Sequence, residues 1–157
     1  MAKNKNFFNL KGKVVVITGA CGLLGRNHVF AVASAGAYPI LIDIDQKKLK
    51  KLEREVIKKY EVECFALKTD ITIEKQVKNA CNRIMKKFGK IDGLINNAAN
   101  NPQIENKSKT SFSRLENFKI KQWNDDLNVG LTGSFICSKY IGEKISLNKK
   151  GGVIIHI

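Results

Sequence analysis

The sequence predicts an α/β fold built on a doubly wound parallel sheet, and three observations carry that expectation. Short apolar, β-branched runs recur along the chain. Stretches of helical periodicity lie between them, long enough to return the chain to a parallel neighbouring strand. The first run, VVVIT at 14–18, is apolar at successive positions instead of alternate ones, the pattern of a strand covered on both faces.

Taken in order, strands are predicted at 14–18, 38–43, 62–67, 91–96 and 153–157, and helices near 23–35, 46–59, 73–88 and 122–147. Gly36 is expected to close the first helix, since a left-handed residue after the last turn is most easily a glycine. The second, QKKLKKLEREVIKK, gathers Leu49, Leu52 and Val56 on one face and its lysines on the other, as a solvated surface helix does. Asp70 and Thr72 are expected to cap the third helix and Gly89 to end it. One segment breaks the rhythm. Residues 100–122 are polar, contain Pro102 and are too long for an ordinary connection, so they are expected to be functional or disordered.

With 157 residues, 43% of them hydrophobic, the chain is read as a single domain with a real core, 1–157. Its net charge of +14 is spread along the chain and is not gathered with aromatics into a nucleic-acid surface. A mildly positive field better suits an anionic substrate or cofactor. No apolar run reaches the roughly 18 residues of a membrane span, and the basic start lacks a signal peptide's apolar stretch, so a cytoplasmic protein is expected. Cys21, Cys64, Cys81 and Cys137 are too far apart for metal-ligand spacing and are read as buried free thiols. His28 and His156 are read as structural, and no metal is expected.

Chemistry is legible at the strand ends. After the first strand come Gly19, Gly22 and Gly25, spaced by three, and then a helix. Gly19 would permit a tight turn, Gly22 would let backbone approach a pyrophosphate, and Gly25 would let helix pack on sheet. The helix start then offers N–H groups and partial positive charge to an anion. Asp43 ends the second strand, 18 residues after Gly25, where a carboxylate can hold both hydroxyls of an adenosine ribose. The alternative role for Asp43 is a cap on the second helix. A 2′-phosphate would meet a like charge there, which favours NAD over NADP. Asp70 ends the third strand. INNAAN (95–100) ends the fourth, with Asn96 and Asn97 to hold a turn and Ala98 and Ala99 small enough to close on a flat ring or ribose.

These residues resemble the short-chain dehydrogenases/reductases over essentially the whole chain. TGACGLLG (18–25) is similar to the family's glycine turn in its T-G-x-x-G-x-x-G form; the commoner form has a glycine where Leu23 stands. TDIT (69–72) resembles the adenine-contacting aspartate segment, and NNAA (96–99) the N-N-A-G turn with Ala99 for glycine. The resemblance implies a Rossmann-like doubly wound sheet, truncated after the fifth strand, that binds NAD, or less readily NADP. It places the cofactor on Thr18, Gly19, Gly22, Leu23, Leu24, Gly25, Asp43, Asp70, Ile71, Asn97, Ala98 and Ala99. It further implies an oxidoreductase of small hydroxyl or carbonyl substrates, a homo-oligomer at full length, without nucleic-acid or membrane partners. Residues 113–142 resemble a subset associated with bacterial surface-polysaccharide and sugar modification, which would make the substrate a sugar or nucleotide sugar. A non-catalytic nucleotide-binding or interaction module is the alternative.

Two departures bear on catalysis. GLTGSF (130–135) puts Gly130 where the family has a catalytic asparagine, and Asn128, about 200° away round an ideal helix, is not expected to replace it. The family follows its fifth strand with a serine and then a Y-x-x-x-K helix, whereas this sequence stops at Ile157. Tyr140 and Lys144 have that spacing but precede the strand, and are read as coincidental. The chain is therefore expected to hold no catalytic residue and to be inactive alone. Its fifth strand is expected to be an unpaired apolar edge that recruits other chains, and the downstream DNA to encode the missing serine and tyrosine.

Overall fold

The computed structural model describes residues 9–100 and 115–157. Five parallel strands form one sheet in the order β3-β2-β1-β4-β5: β1 Val14–Thr18, β2 Tyr38–Asp43, β3 Phe65–Lys68, β4 Gly93–Asn96 and β5 Val153–His156. Every residue of β1 is buried, as its unbroken apolar pattern requires. Pro39 is tolerated in β2 because β3 begins to pair only at Ile40, so the missing N–H costs no ladder bond on that side.

Helices α1 (Leu23–Ser34) and α2 (Gln46–Tyr60) cover one face of the sheet, burying Val29, Leu49, Leu52 and Val56 against Val15, Ile17 and Leu41. The other face carries α3 (Glu74–Phe88) and α5 (Ser134–Ser146), with Val77, Ile84, Cys137 and Ile141 against Val16, Ile40 and Leu94. Gly36 and Gly89 both take positive φ at the ends of their helices. The start of α3 departs from expectation. Ile73 is its N-cap, with no side-chain bond, while Asp70 Oδ1 accepts from the Thr72 amide and hydroxyl in the turn before it. Strand β3 also begins later than predicted, at Phe65, because residues 61–64 complete the exit from α2 through Glu61 in the left-handed region.

The single helix expected at 122–147 is three pieces: α4 (Ile120–Leu127), a wide π turn at Asn128–Gly133, and α5. A short 3-10 turn, Leu115–Asn117, precedes them. Most of the polar segment 100–122 lies outside the described residues.

At the amino edge Asp92 ties three strands together. Its carboxylate accepts from the Val14 amide and from the Lys13 and Lys90 ammonium groups, each at 2.9 Å, and its carbonyl accepts from Val153 N. Burial alone would raise the Asp92 pKa, but these bonds outweigh it and hold the carboxyl below its ordinary value. A depressed pKa means that this contribution is complete above the unfolded-state value and is lost as pH falls through the folded one. Asp92→Asn is expected to lower stability by about 2 kcal/mol at neutral pH and to flatten the acid limb of a stability-versus-pH curve. An acid limb identical to the wild type's would show that the carboxylate contributes nothing.

The two sheet edges differ. On β3 the outward Ala66 amide donates to Glu53 Oε1 at 2.9 Å, which guards the edge. On β5, which among the described residues pairs with β4 alone, all four residues are exposed.

Candidate cofactor cleft

In this strand order the chain leaves β1 for β2 on one side and later for β4 on the other. The connections at the carboxyl ends of β1 and β4 therefore diverge and open a crevice. A cleft of about 920 Å³ lies there, walled by the glycine turn, Asp43, Asp70, Ile71 and the Asn97–Ala99 turn.

The glycine turn and the β4 turn are locked to each other through Thr18. Its fully buried hydroxyl accepts from Asn97 N at 3.0 Å and Ala98 N at 3.1 Å, and the Asn97 carboxamide returns bonds to the Thr18 and Gly19 carbonyls. Gly19 is required twice over. Its φ is +61°, and a Cβ on it would stand 2.8 Å from the Ala98 Cα. Gly22 is the N-cap of α1 and donates to the Gly19 carbonyl at 3.0 Å. A Cβ on Gly25 would collide with the Gly19 carbonyl oxygen. Helix α1 is thereby drawn onto the turn, with its first N–H groups lacking partners within the helix.

Asp43 is not a helix cap; Asp45 fills that role, accepting from the Lys47 and Lys48 amides. The Asp43 carboxylate instead accepts from Cys21 N at 2.9 Å and Asp45 N at 3.1 Å, which orients it at the end of β2. Just past the end of β3 the Asp70 backbone N–H donates to Gln76 Oε1, and Ile71 is buried against the apolar core. Asn96 lies beneath, its amide donating to Ser138 Oγ at 3.1 Å. All twelve residues selected from the sequence sit at this one edge: Thr18 is buried beneath the turn, and the other eleven line the cleft.

Sequence reasoning missed several lining residues. Cys21 is half-buried here, not in the core with Cys64, Cys81 and Cys137. Burial, with Asp43 and Asp45 beside it, pushes its thiol up to about 12, which keeps it protonated and poorly nucleophilic. Ile44 and Lys48 line the Asp43 end, and Asp125, Asn128 and Val129 the opposite wall. Their place at the cleft follows from how the start of α2, α4 and the wide turn pack on the sheet. Gly130 does not line the cleft, and a Cβ added to it would meet nothing within 4 Å. Residues 128–133 form a turn wider than an ideal helix, and Asn128 and Gly130 still face different ways: the first lines the cleft and the second does not.

Tyr140 and Lys144 do not reach the cleft. The Tyr140 hydroxyl donates to Glu74 Oε1 at 2.6 Å, and Lys144 pairs with Glu143. Among the described residues no group of three or more His, Cys, Asp or Glu could hold a metal ion, and no helix is long and apolar enough to cross a membrane.

The family model for short chain dehydrogenases matches residues 13–157. This chain belongs to the short-chain dehydrogenases. It is 32% identical over 148 residues to an uncharacterized oxidoreductase of Thermotoga maritima, covering 94% of this chain and 54% of that protein. With an NADP-dependent mannitol dehydrogenase of Alternaria alternata it shares 30% identity, over 96% of this chain and 54% of the relative. Among solved structures, an NAD+-bound xylitol dehydrogenase superposes with a TM-score of 0.81 at 27% identity, covering 96% of this chain and 53% of that one. The chain thus spans about half the length of the curated relatives it matches. As a short-chain dehydrogenase sequence with a Rossmann-like sheet, it presents at this cleft a helix start whose first N–H groups lack partners within the helix, a fixed carboxylate and apolar walls.

Proposed function

We propose that this chain is the cofactor-binding half of an NAD-dependent oxidoreductase acting on a hydroxyl or carbonyl substrate, with a sugar or polyol as the substrate class. The nicotinamide, when bound, supplies the hydride. The chain's own residues bind and orient: the start of α1 faces the diphosphate, Asp43 the adenosine ribose, Asp70 and Ile71 the base, and the Asn97–Ala99 turn the half that bears the nicotinamide. A cytoplasmic homo-oligomer at full length belongs to the same proposal. The polyol class draws support from the mannitol and xylitol enzymes named above.

The observation that carries the cofactor reading is the Asp43 carboxylate, fixed by two backbone N–H groups beside the glycine turn. A 2′-phosphate would enter against that charge. Lys48 offers little relief, since it is exposed and already faces Asp45 at 3.5 Å. NADH should therefore bind the purified chain more tightly than NADPH, as read by fluorescence titration. Asp43→Ala is expected to weaken NADH by about ten- to a hundredfold, through lost charge-assisted bonds, and to narrow the gap to NADPH. An unchanged NADH/NADPH ratio in the variant would remove Asp43 from the site.

A second reading, a nucleotide-binding module without turnover, rests on one observation. None of the three tyrosines, Tyr38, Tyr60 and Tyr140, lines the cleft. Both readings expect the purified chain to bind NADH without oxidising polyols. They separate in the DNA downstream of the Ile157 codon, where a serine followed by a Y-x-x-x-K segment would support the enzyme.

A further inference from the structure

We propose that Asn128 is a further cofactor-binding residue, presented by the wide turn so that its carboxamide hydrogen-bonds the edge of the adenine base, across the cleft from Asp70. This rests on the dinucleotide reading above and extends it to a residue that no motif contains.

Strand order decides which end of the cleft takes the base. With phosphate at the start of α1 over β1 and ribose at Asp43 on β2, the base must continue outward to β3, where Asp70 and Ile71 stand. The wide turn is docked at that same end. A Cβ on Gly133 would stand 2.6 Å from the Ile71 Cδ1, so the wide turn passes close to Ile71, just beyond the end of β3. Asn128 and Val129 line the cleft there, while Gly130 does not.

The Asn128 side chain has no protein partner among the described residues, and it is exposed. Its neighbours on the helix are engaged: Asp125 with Lys121, and Asp126 with Asn100 and Gln122. Asp70 gives one oxygen to Thr72 and can offer the other only as an acceptor. A carboxamide both donates and accepts, so it matches a purine edge that pairs an amine with a ring nitrogen, as asparagine does with adenine elsewhere. Val129 and Ile71 would flank the ring with apolar surface.

The test uses the full 157-residue chain and three probes in calorimetry: ADP, inosine diphosphate, whose base carries a carbonyl in place of the amine, and reduced nicotinamide mononucleotide, which lacks the adenosine half. Asn128→Ala is expected to weaken ADP by about five- to tenfold, to narrow the preference for ADP over inosine diphosphate, and to leave the mononucleotide unchanged. Asn128→Asp keeps the shape but loses the donor, and is expected to weaken ADP at least as much. It decides the matter if the alanine variant folds poorly. Equal ADP affinity in the wild type and both variants would overturn the assignment of Asn128 while leaving the dinucleotide reading intact. A wild-type chain that binds neither ADP nor NADH would overturn both.

Discussion

Gly25→Ala is expected to abolish detectable NADH binding and to lower the stability of the chain by ~3 kcal/mol. The added methyl would collide with the Gly19 carbonyl oxygen, and the Gly19 carbonyl carbon and Ala20 Cα lie only 2.9 Å from it. All three are backbone atoms, so no side chain can swing aside. Gly19 cannot retreat either. Its carbonyl accepts from Gly22 N and from the Asn97 carboxamide, and Ala98 closes on its other side. Relief must come from α1 lifting off the sheet, which would loosen Val29, Val32 and Ala33 from the core and turn its N–H groups away from the cleft. Chemical denaturation and fluorescence titration measure the two effects. A variant with the wild type's unfolding midpoint and NADH affinity would show that the helix start is not held as described.

Thr18→Val should cost about 2–3 kcal/mol of stability and weaken NADH binding together, although valine has nearly the same shape. The hydroxyl is the acceptor for two backbone donors, Asn97 N and Ala98 N, and a methyl leaves both without a partner in a region water barely reaches. Each stranded donor costs about 1–3 kcal/mol when fully buried, and these are partly buried. The turn at 97–99 would then be free to rotate away from Gly19. Thr18→Ser keeps the oxygen and should retain most of the binding. If valine and serine behave alike, the hydroxyl is not what locks the turns.

The strands, the first three helices and the glycine ends of the first and third were legible because each is a local consequence of sequence. Unbroken apolar runs such as 14–17 can only be buried on both faces, and Leu49, Leu52 and Val56 repeat at the helical period. The residues of this edge at 18–19, 22–25, 43, 70–71 and 97–99 were legible for a related reason. In a parallel sheet every strand ends at the same edge, so residues far apart in sequence must converge there once the strands are recognised.

What only the tertiary structure decided depends on contacts between segments. Whether Asp43 or Asp45 caps α2 is a choice between carboxylates two residues apart, settled because the Cys21 amide reaches Asp43 from another strand end. The last helix breaks into α4, a wide turn and α5 at NVGLTG, whose two glycines weaken a helix without saying what form the break takes. The break accompanies the docking of Gly133 on Ile71, a contact 62 positions apart in sequence. On that turn Asn128 lines the cleft and Gly130 does not. Local periodicity says which residues face inward. It takes the packing of one element on another to say which residues meet, because that depends on distances the chain acquires only when folded.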